Sequence, residues 1–300
     1  MKKIGFLIGG AFVALILAGL VVLATFSLPS FGAAPLGQRP ADITGSPNYA
    51  AGKFKNLEVT HMLQPGTFWQ MLQHSLFGDE QRVPTHAIPV VRRTRADYQT
   101  PAASGLRATW IGHATTLVEL EGRRVLFDPM FSERCSPVSF AGPKRFFPPP
   151  LPLAELPHID IVAVSHDHYD HLDMESIRAH AAQGAEFVVP LGMGAHLQRW
   201  GVKLARINEL DWYDTATIAG LRLLATPARH YSGRGIIGGD RVQWASWVVL
   251  STHSRVFFSG DSGYSTEFAR IGQHFGPFDL TLIKIGASDP TWAEIHMSPE

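Results

Sequence analysis

The chain has 300 residues, 45% of them hydrophobic, with 26 basic and 26 acidic side chains and a formal net charge of zero. That size and composition suit one large globular domain plus a tail, and the absence of any block of like charge argues against a nucleic-acid surface. A single cysteine, Cys135, excludes an internal disulfide and a thiolate zinc cluster and reads as an inert small side chain.

Met1-Lys2-Lys3 precedes an uncharged stretch of apolar residues and glycines, Ile4 to Leu28, that ends at Pro29. At about 1.5 Å per residue it is long enough to cross a hydrocarbon core of about 30 Å, and longer than the apolar region of about 7–15 residues usual in a signal peptide. Residues 1–29 are therefore expected to form a transmembrane anchor. A cleaved signal is the alternative, since Ser30-Phe31-Gly32-Ala33-Ala34 offers small residues at a cleavage point, and a buried helix is a third reading. The two lysines favour an N-inside orientation, which exports the rest of the chain to the periplasmic or extracellular side. No cysteine follows the apolar run, so lipoprotein processing is excluded. Residues 30–53, rich in Pro, Gly, Ala and Ser, read as a linker, and 54–300 as the folded domain.

Within that domain a short amphipathic helix is expected over Thr67 to Phe77, with Phe68, Met71, Leu72 and Leu76 at helical spacing. Strands follow at Ala108–Ile111, Thr116–Leu120 and Arg123–Phe127, the last two joined by a turn at Glu121-Gly122. Pro143 to Pro157 holds six prolines and reads as an ordered surface loop, with Phe146-Phe147 beside basic Lys144-Arg145. The run Ile159–Ser165 reads as a buried strand. Beyond it come a helix over Met174–Ala182, a strand over Glu186–Val189, a helix over Met193–Trp200 and a strand over Ala205–Ile207. The final third is mostly strands, with one helix at Thr266–Phe275. No internal repeat is evident.

The segment His166-Asp167-His168-Tyr169-Asp170-His171 sits at the end of the Ile159–Ser165 strand. On a tight loop there, closely spaced His and Asp converge on one point, and imidazole with carboxylate suits Zn, Fe or Mn. Two His separated by one residue can share one metal, which leaves Asp170-His171 for a second. Position, spacing and ligand type together set the segment apart from chance clustering of histidines. Three further candidates end similar apolar runs: His230 after Leu221–Ala228, Asp261 after Ser254–Gly260, and His296 beyond Leu280–Gly286. Alone, each reads as a surface histidine or a Gly-Asp turn. Beside the hexapeptide they read as ligands delivered from several strand ends to one sheet edge.

The series His166-x-His168-x-Asp170-His171, His230, Asp261 and His296 resembles, in order, that of the metallo-β-lactamase superfamily. The resemblance implies an α/β fold, an αββα sandwich of two facing mixed β-sheets with outer helices. It also implies two divalent ions, expected to be zinc. His166, His168 and His230 would hold one ion, Asp170, His171 and His296 the other, and Asp261 would bridge, with Asp261 and Asp170 as the catalytic carboxylates. Trp110-Ile111-Gly112-His113-Ala114-Thr115, Asp128-Pro129, Gly142-Pro143-Lys144-Arg145, Ile285-Gly286-Ala287 and His296-Met297-Ser298-Pro299-Glu300 are similar to the N-acyl-phosphatidylethanolamine-hydrolysing phospholipase D branch. Members of that branch continue past the last of these segments, so the domain is expected to be truncated at its C-terminus.

The expected function is hydrolysis of a phosphodiester of the N-acyl-phosphatidylethanolamine type through a hydroxide bridging the two metals. A phospholipid or other small phosphodiester would be the substrate, with the membrane reached through the N-terminal segment and no nucleic-acid partner. A lactone or carboxylic-ester hydrolase of the same fold is an alternative, and so is a non-catalytic metal-binding envelope protein. Asp167 is expected to orient a ligand or cap the helix near Leu172-Asp173, and His113 to line the pocket rim or serve structure. The other histidines, His196 and His180 among them, receive no assignment.

Overall fold

The computed structural model describes residues 19, 28–34, 40–78, 81–235 and 238–299. A hairpin of β1 (Tyr49–Ala50) and β2 (Lys53–Phe54) precedes two larger sheets. The first has six strands in chain order: β3 (Leu106–Gly112), β4 (Thr115–Leu120), β5 (Arg123–Phe127), β6 (Ile161–Ala163), β7 (Glu186–Pro190) and β8 (Ile207–Leu210). It is antiparallel up to β5 and parallel from there on. The second orders β9 (Thr215–Ile218), β10 (Leu221–Thr226), β11 (Ser246–Leu250), β12 (Arg255–Phe258) and β13 (Leu280–Leu282), with only β13 parallel to its neighbour.

Period-two alternation decides which residues meet where. Val118, Val125, Phe127, Ile161 and Ala163 point inward and pack against Leu223, Ala225, Trp247, Val249 and Phe258 of the other sheet. Phe127 stacks on Phe258 at 4.5 Å between ring centroids. The alternate residues Leu117, Leu126, Val162 and Phe187 face the other way, clustering with Ile177 of α3 (Met174–Gln183) and Leu197 of α4 (Gly194–Arg199). On the far side Leu224, Val248 and Phe257 pack with Ile271 of α5 (Glu267–Phe275). Two further helices, α1 (Pro40–Gly45) and α2 (Phe68–Phe77), come earlier in the chain. Helix, sheet, sheet and helix layers make the αββα sandwich that the resemblance implies.

Most elements form where the sequence places them, including the hairpin at Glu121-Gly122, where both residues take positive φ (49° and 81°). One strand does not. Ala205 lies in a 3-10 turn, Leu204–Arg206, and β8 starts only at Ile207.

Within the stretch 30–53 read as a linker, Ile43 is 2% exposed and belongs to the inter-sheet core, and residues 30–33 bond to the domain through Ser30 Oγ, the Gly32 carbonyl and Ala33 N. The expected transmembrane stretch Ile4–Leu28 lies outside the described residues apart from Gly19 and Leu28. Among the described residues no helix is long and apolar enough to cross a membrane.

Candidate metal centre

Three strand ends and one late loop build the site. β6 runs through Val164-Ser165 into the hexapeptide, β10 leads to His230, and β12 leads through Ser259-Gly260 to Asp261. Gly260 has φ 57°, and a Cβ there would lie 2.6 Å from that of Ser165, so only glycine lets the two strand ends meet. At Gly263 an added Cβ would fall 1.9 Å from the Glu294 carbonyl oxygen, which allows the His296 segment to close in. That segment is tied down where Met297 N donates to Ser262 O (3.1 Å).

Four overlapping groups of donors result, each with ligand atoms within 4.8 Å of one another: His166, His168 and His230; His166, His171 and Asp261; His113, Asp170 and His171; and His230, Asp261 and His296. All seven residues picked out in the sequence thus converge. The partnership differs in one respect, for Asp170 and His171 gather with His113, while His296 gathers with His230 and Asp261. His113 lies 2.7 Å from Asp170 through its Nε2.

Hydrogen bonds behind the donors fix which ring nitrogens are free. Asp128, fully buried, accepts from Ser165 N and Oγ (both 2.7 Å) and from His171 Nδ1 (2.7 Å). With the Ser165 hydroxyl given to Asp128, His166 Nδ1 must donate to Ser165 Oγ (2.9 Å). His230 Nδ1 donates to Ile295 O (3.1 Å). These bonds assign lone pairs to the Nε2 atoms of His166 and His230 and leave Nε2 as the ring atom of His171 turned toward the centre. They face inward: His166 Nε2 and His230 Nε2 lie 2.9 and 3.4 Å from His168 Nδ1. His171 Nε2 is 3.3 Å from Asp261 Oδ1 without hydrogen-bond geometry, and it and His296 Nδ1 are buried polar atoms with no hydrogen-bond partner.

Electrostatics divide the site. Burial and the neighbouring imidazoles hold His166 well below the usual histidine range, and burial takes His230 down to about 3, so both are neutral and basic toward a cation. Burial would lower His171 too, but Asp261, Asp170 and Asp128 outweigh it and hold that ring well above its usual value. Burial would raise Asp261, and the adjacent His171 overrides it, keeping the carboxylate ionised. Lone pairs without partners, neutral imidazoles and ionised carboxylates within one small volume fit divalent ions.

Several residues of the site had no assignment. Asp128 lies 43 residues before His171 in sequence, and only the parallel pairing of β5 with β6 brings the two together. Lys284 places Nζ 3.2 Å from Asp261 Oδ2, with its side chain 17% exposed. Asp167 is not a helix cap: Asp173 caps α3 by accepting from Ser176 N, while Asp167 accepts from Gly233 N (2.7 Å) and lies 3.5 Å from His196 Nε2.

Residues 123–300 match the model of the beta-lactamase superfamily domain. An uncharacterised protein of Mycobacterium tuberculosis is 43% identical over 263 residues, covering 85% of this chain and 68% of that protein. An N-acyl-phosphatidylethanolamine-hydrolysing phospholipase D of Caenorhabditis elegans is 37% identical over 239 residues, 76% of this chain and 67% of the relative. The crystal structure of a possible metal-dependent hydrolase from Veillonella parvula shares the fold, at TM-score 0.50 and 17% identity over 63% of this chain and 76% of that one. With more than half its length matched and its donors gathered at one sheet edge, the chain belongs to the beta-lactamase superfamily, on the metal-dependent hydrolase side of that family.

Proposed function

We propose that this protein is a zinc-dependent phosphodiesterase of phospholipase D type, acting on glycerophospholipids that resemble N-acyl-phosphatidylethanolamine. The observation that carries the substrate is the 37% identity with the worm enzyme across two thirds of that enzyme's length. His166, His168 and His230 would hold one ion and Asp170 and His171, beside His113, the other, with Asp261 shared and His296 on the His230 and Asp261 side. Bound there, divalent ions lower the pKa of a coordinated water and draw charge from a phosphoryl oxygen.

The chain's own residues do the rest. Asp128 and Ser165 bond the Nδ1 atoms of His171 and His166 from behind and aim their Nε2 atoms inward. His113 orients Asp170 through the 2.7 Å contact. Lys284 adds a positive charge on the Asp261 side, which favours an anionic phosphodiester over a neutral ester. The apolar stretch Ile4–Leu28 completes the proposal, since its length suits a hydrocarbon core of about 30 Å and would hold the domain, exported, beside a lipid substrate.

The test is a turnover panel on zinc-loaded full chain, comparing N-acyl-phosphatidylethanolamine, phosphatidylcholine, a soluble aryl phosphodiester and an aliphatic lactone. Phosphodiesters should react fastest, and the N-acylated lipid fastest among the lipids. Faster opening of the lactone overturns the reading in favour of carboxylic-ester chemistry.

A further inference from the structure

Behind the ligand loop, on the side away from the donors, lies a buried polar assembly that none of the chemistry above uses. Arg234 is 6% exposed, Asp167 3% and His196 4%. The Arg234 guanidinium carbon lies over the rings of Tyr169 (4.0 Å to the centroid) and Trp200 (5.1 Å). Nη1 donates to the carbonyls of Asp167 (2.6 Å) and Leu172 (2.9 Å), the two shoulders of the loop that carries His168, Asp170 and His171. Nε and Nη2 both donate to the carbonyl of Ser30 (3.1 and 2.8 Å). One buried guanidinium therefore joins the ligand loop to a segment more than a hundred residues upstream.

That segment is held along its whole length. Trp200 Nε1 donates to Pro29 O (2.7 Å), Ser30 Oγ to Pro137 O (2.8 Å), and Ala33 N to His196 Nδ1 (2.8 Å). Arg199 donates to Gly32 O, and Phe31 meets Tyr169 edge-on at 6.2 Å. Gly32 takes φ 74°, and a Cβ there would come within 2.0 Å of His196 Nδ1, so the close docking requires glycine.

We propose that residues 29–33 are a strap that positions the metal-ligand loop by completing the hydrogen bonding of Arg234. If Ser30 is withdrawn, two donors of a buried charge lose their acceptor, which is costly because a buried guanidinium must keep its hydrogen bonds. The guanidinium then turns toward other acceptors or water and releases Asp167 O and Leu172 O. The loop between them widens, and its donors no longer meet at one point. Arg234 and the strap act through the loop and touch no substrate, so theirs is a positioning role. It rests on the metal reading only in part, because the loop's order can be read without metal.

The test uses the full chain and zinc alone as probe. Gly32→Val undocks the strap without changing any residue of the loop. Ile271→Ala, in the separate apolar cluster under α5, serves as a destabilising control. Zinc affinity is measured by competition with a chelator, and hydrogen exchange is followed at the His171 and Leu172 amides, both donors to His168 O (3.1 and 2.8 Å). Gly32→Val should weaken zinc binding about tenfold, as losses behind metal ligands do, and speed exchange at those two amides in the metal-free protein. Ile271→Ala should lower the melting temperature while leaving both readouts unchanged. Should Gly32→Val fail to fold, Trp200→Phe, which removes the donor to Pro29 O, must move both readouts in the same direction. Unchanged exchange and zinc affinity in the strap variant overturn the proposal, as does an equal loss in the control. A wild-type chain that binds no zinc but shows the exchange difference sinks the metal reading and leaves the strap standing.

Discussion

The two sheets contribute to the centre in different ways. The six-stranded sheet delivers His166, His168, Asp170 and His171 from one loop, braced from behind by Asp128, Ser165 and Arg234. The five-stranded sheet delivers His230, Asp261 and Lys284 from three separate loops, with His296 following, and these hold one another through single contacts such as His230 to Ile295 O and Lys284 to Asp261. One half is a prebuilt cradle, while the other closes only if several loops pack correctly. Substitutions of the metal-donor candidates on the second side should therefore remove function outright, whereas those behind the first side should tune it.

The largest effect belongs to Asp261, which participates in two of the donor groups and is shared by both halves. On the two-zinc reading proposed above, Asp261→Ala should abolish hydrolysis and reduce bound zinc to one ion per chain, held by His166, His168 and His230. Elemental analysis with a turnover assay checks this. A variant retaining two ions and measurable activity would mean that the halves are not joined through this carboxylate.

Asp128 tests the cradle. Asp128→Asn keeps the shape but places an amide against the Nδ1–H of His171 and weakens the ties that fix the tautomers. Metal affinity should fall by about ten- to a hundredfold while the fold persists. Equal affinity in wild type and variant would show that the histidines need no support from behind.

Lys284 probes the loosely built side more gently. Its ammonium lies beside Asp261 and should interact with an anionic substrate oxygen, an attraction of about 4 kcal/mol at 4 Å and an effective dielectric near 20, reduced by screening. Lys284→Met is expected to lower kcat/KM for phosphodiesters about ten- to a hundredfold, or about 1.4–2.8 kcal/mol, with little change for neutral esters. Parallel losses on both substrate classes would assign the lysine to holding Asp261 rather than to charge recognition.

The same division explains what could be read from sequence. The hexapeptide was legible because its ligands are contiguous and follow a short apolar strand, and β3 to β5 were legible because alternation and a Glu-Gly turn are local signals. His230, Asp261 and His296 needed the family resemblance, since a lone histidine or a Gly-Asp pair has many uses. Lys284, Arg234 and His196 carried no local signal, and Asp128 only a family resemblance without a role, because their partners are set by strand pairing and by loops far apart in the chain. The docking of residues 29–33 was hidden for a related reason: Pro- and Gly-rich composition marks irregular backbone, but irregular backbone can still dock through its carbonyls.

The smallest effect on catalysis, and a distinct one on stability, comes from His180 in α3, the helix that follows the ligand loop. Its side chain is fully buried, neither ring nitrogen has a hydrogen-bond partner, and burial lowers its pKa to about 4 from 6.5. In the unfolded chain the ring protonates near 6.5, so the unfolded state binds the extra proton first as pH falls. The contribution of this group to stability is therefore intact above about pH 6.5 and is lost between 6.5 and 4, up to about 3 kcal/mol at 1.36 kcal/mol per unit. His180→Leu removes the titration and keeps an apolar side chain in the same place. Urea unfolding of metal-free protein at pH 7.5, 5.5 and 4.5 should show wild type losing stability relative to the variant as pH falls, with hydrolysis at neutral pH the same in both. A difference that stays constant with pH would place a partner on this ring and show that the cradle side of the molecule has no acid-labile buried histidine in its first helix.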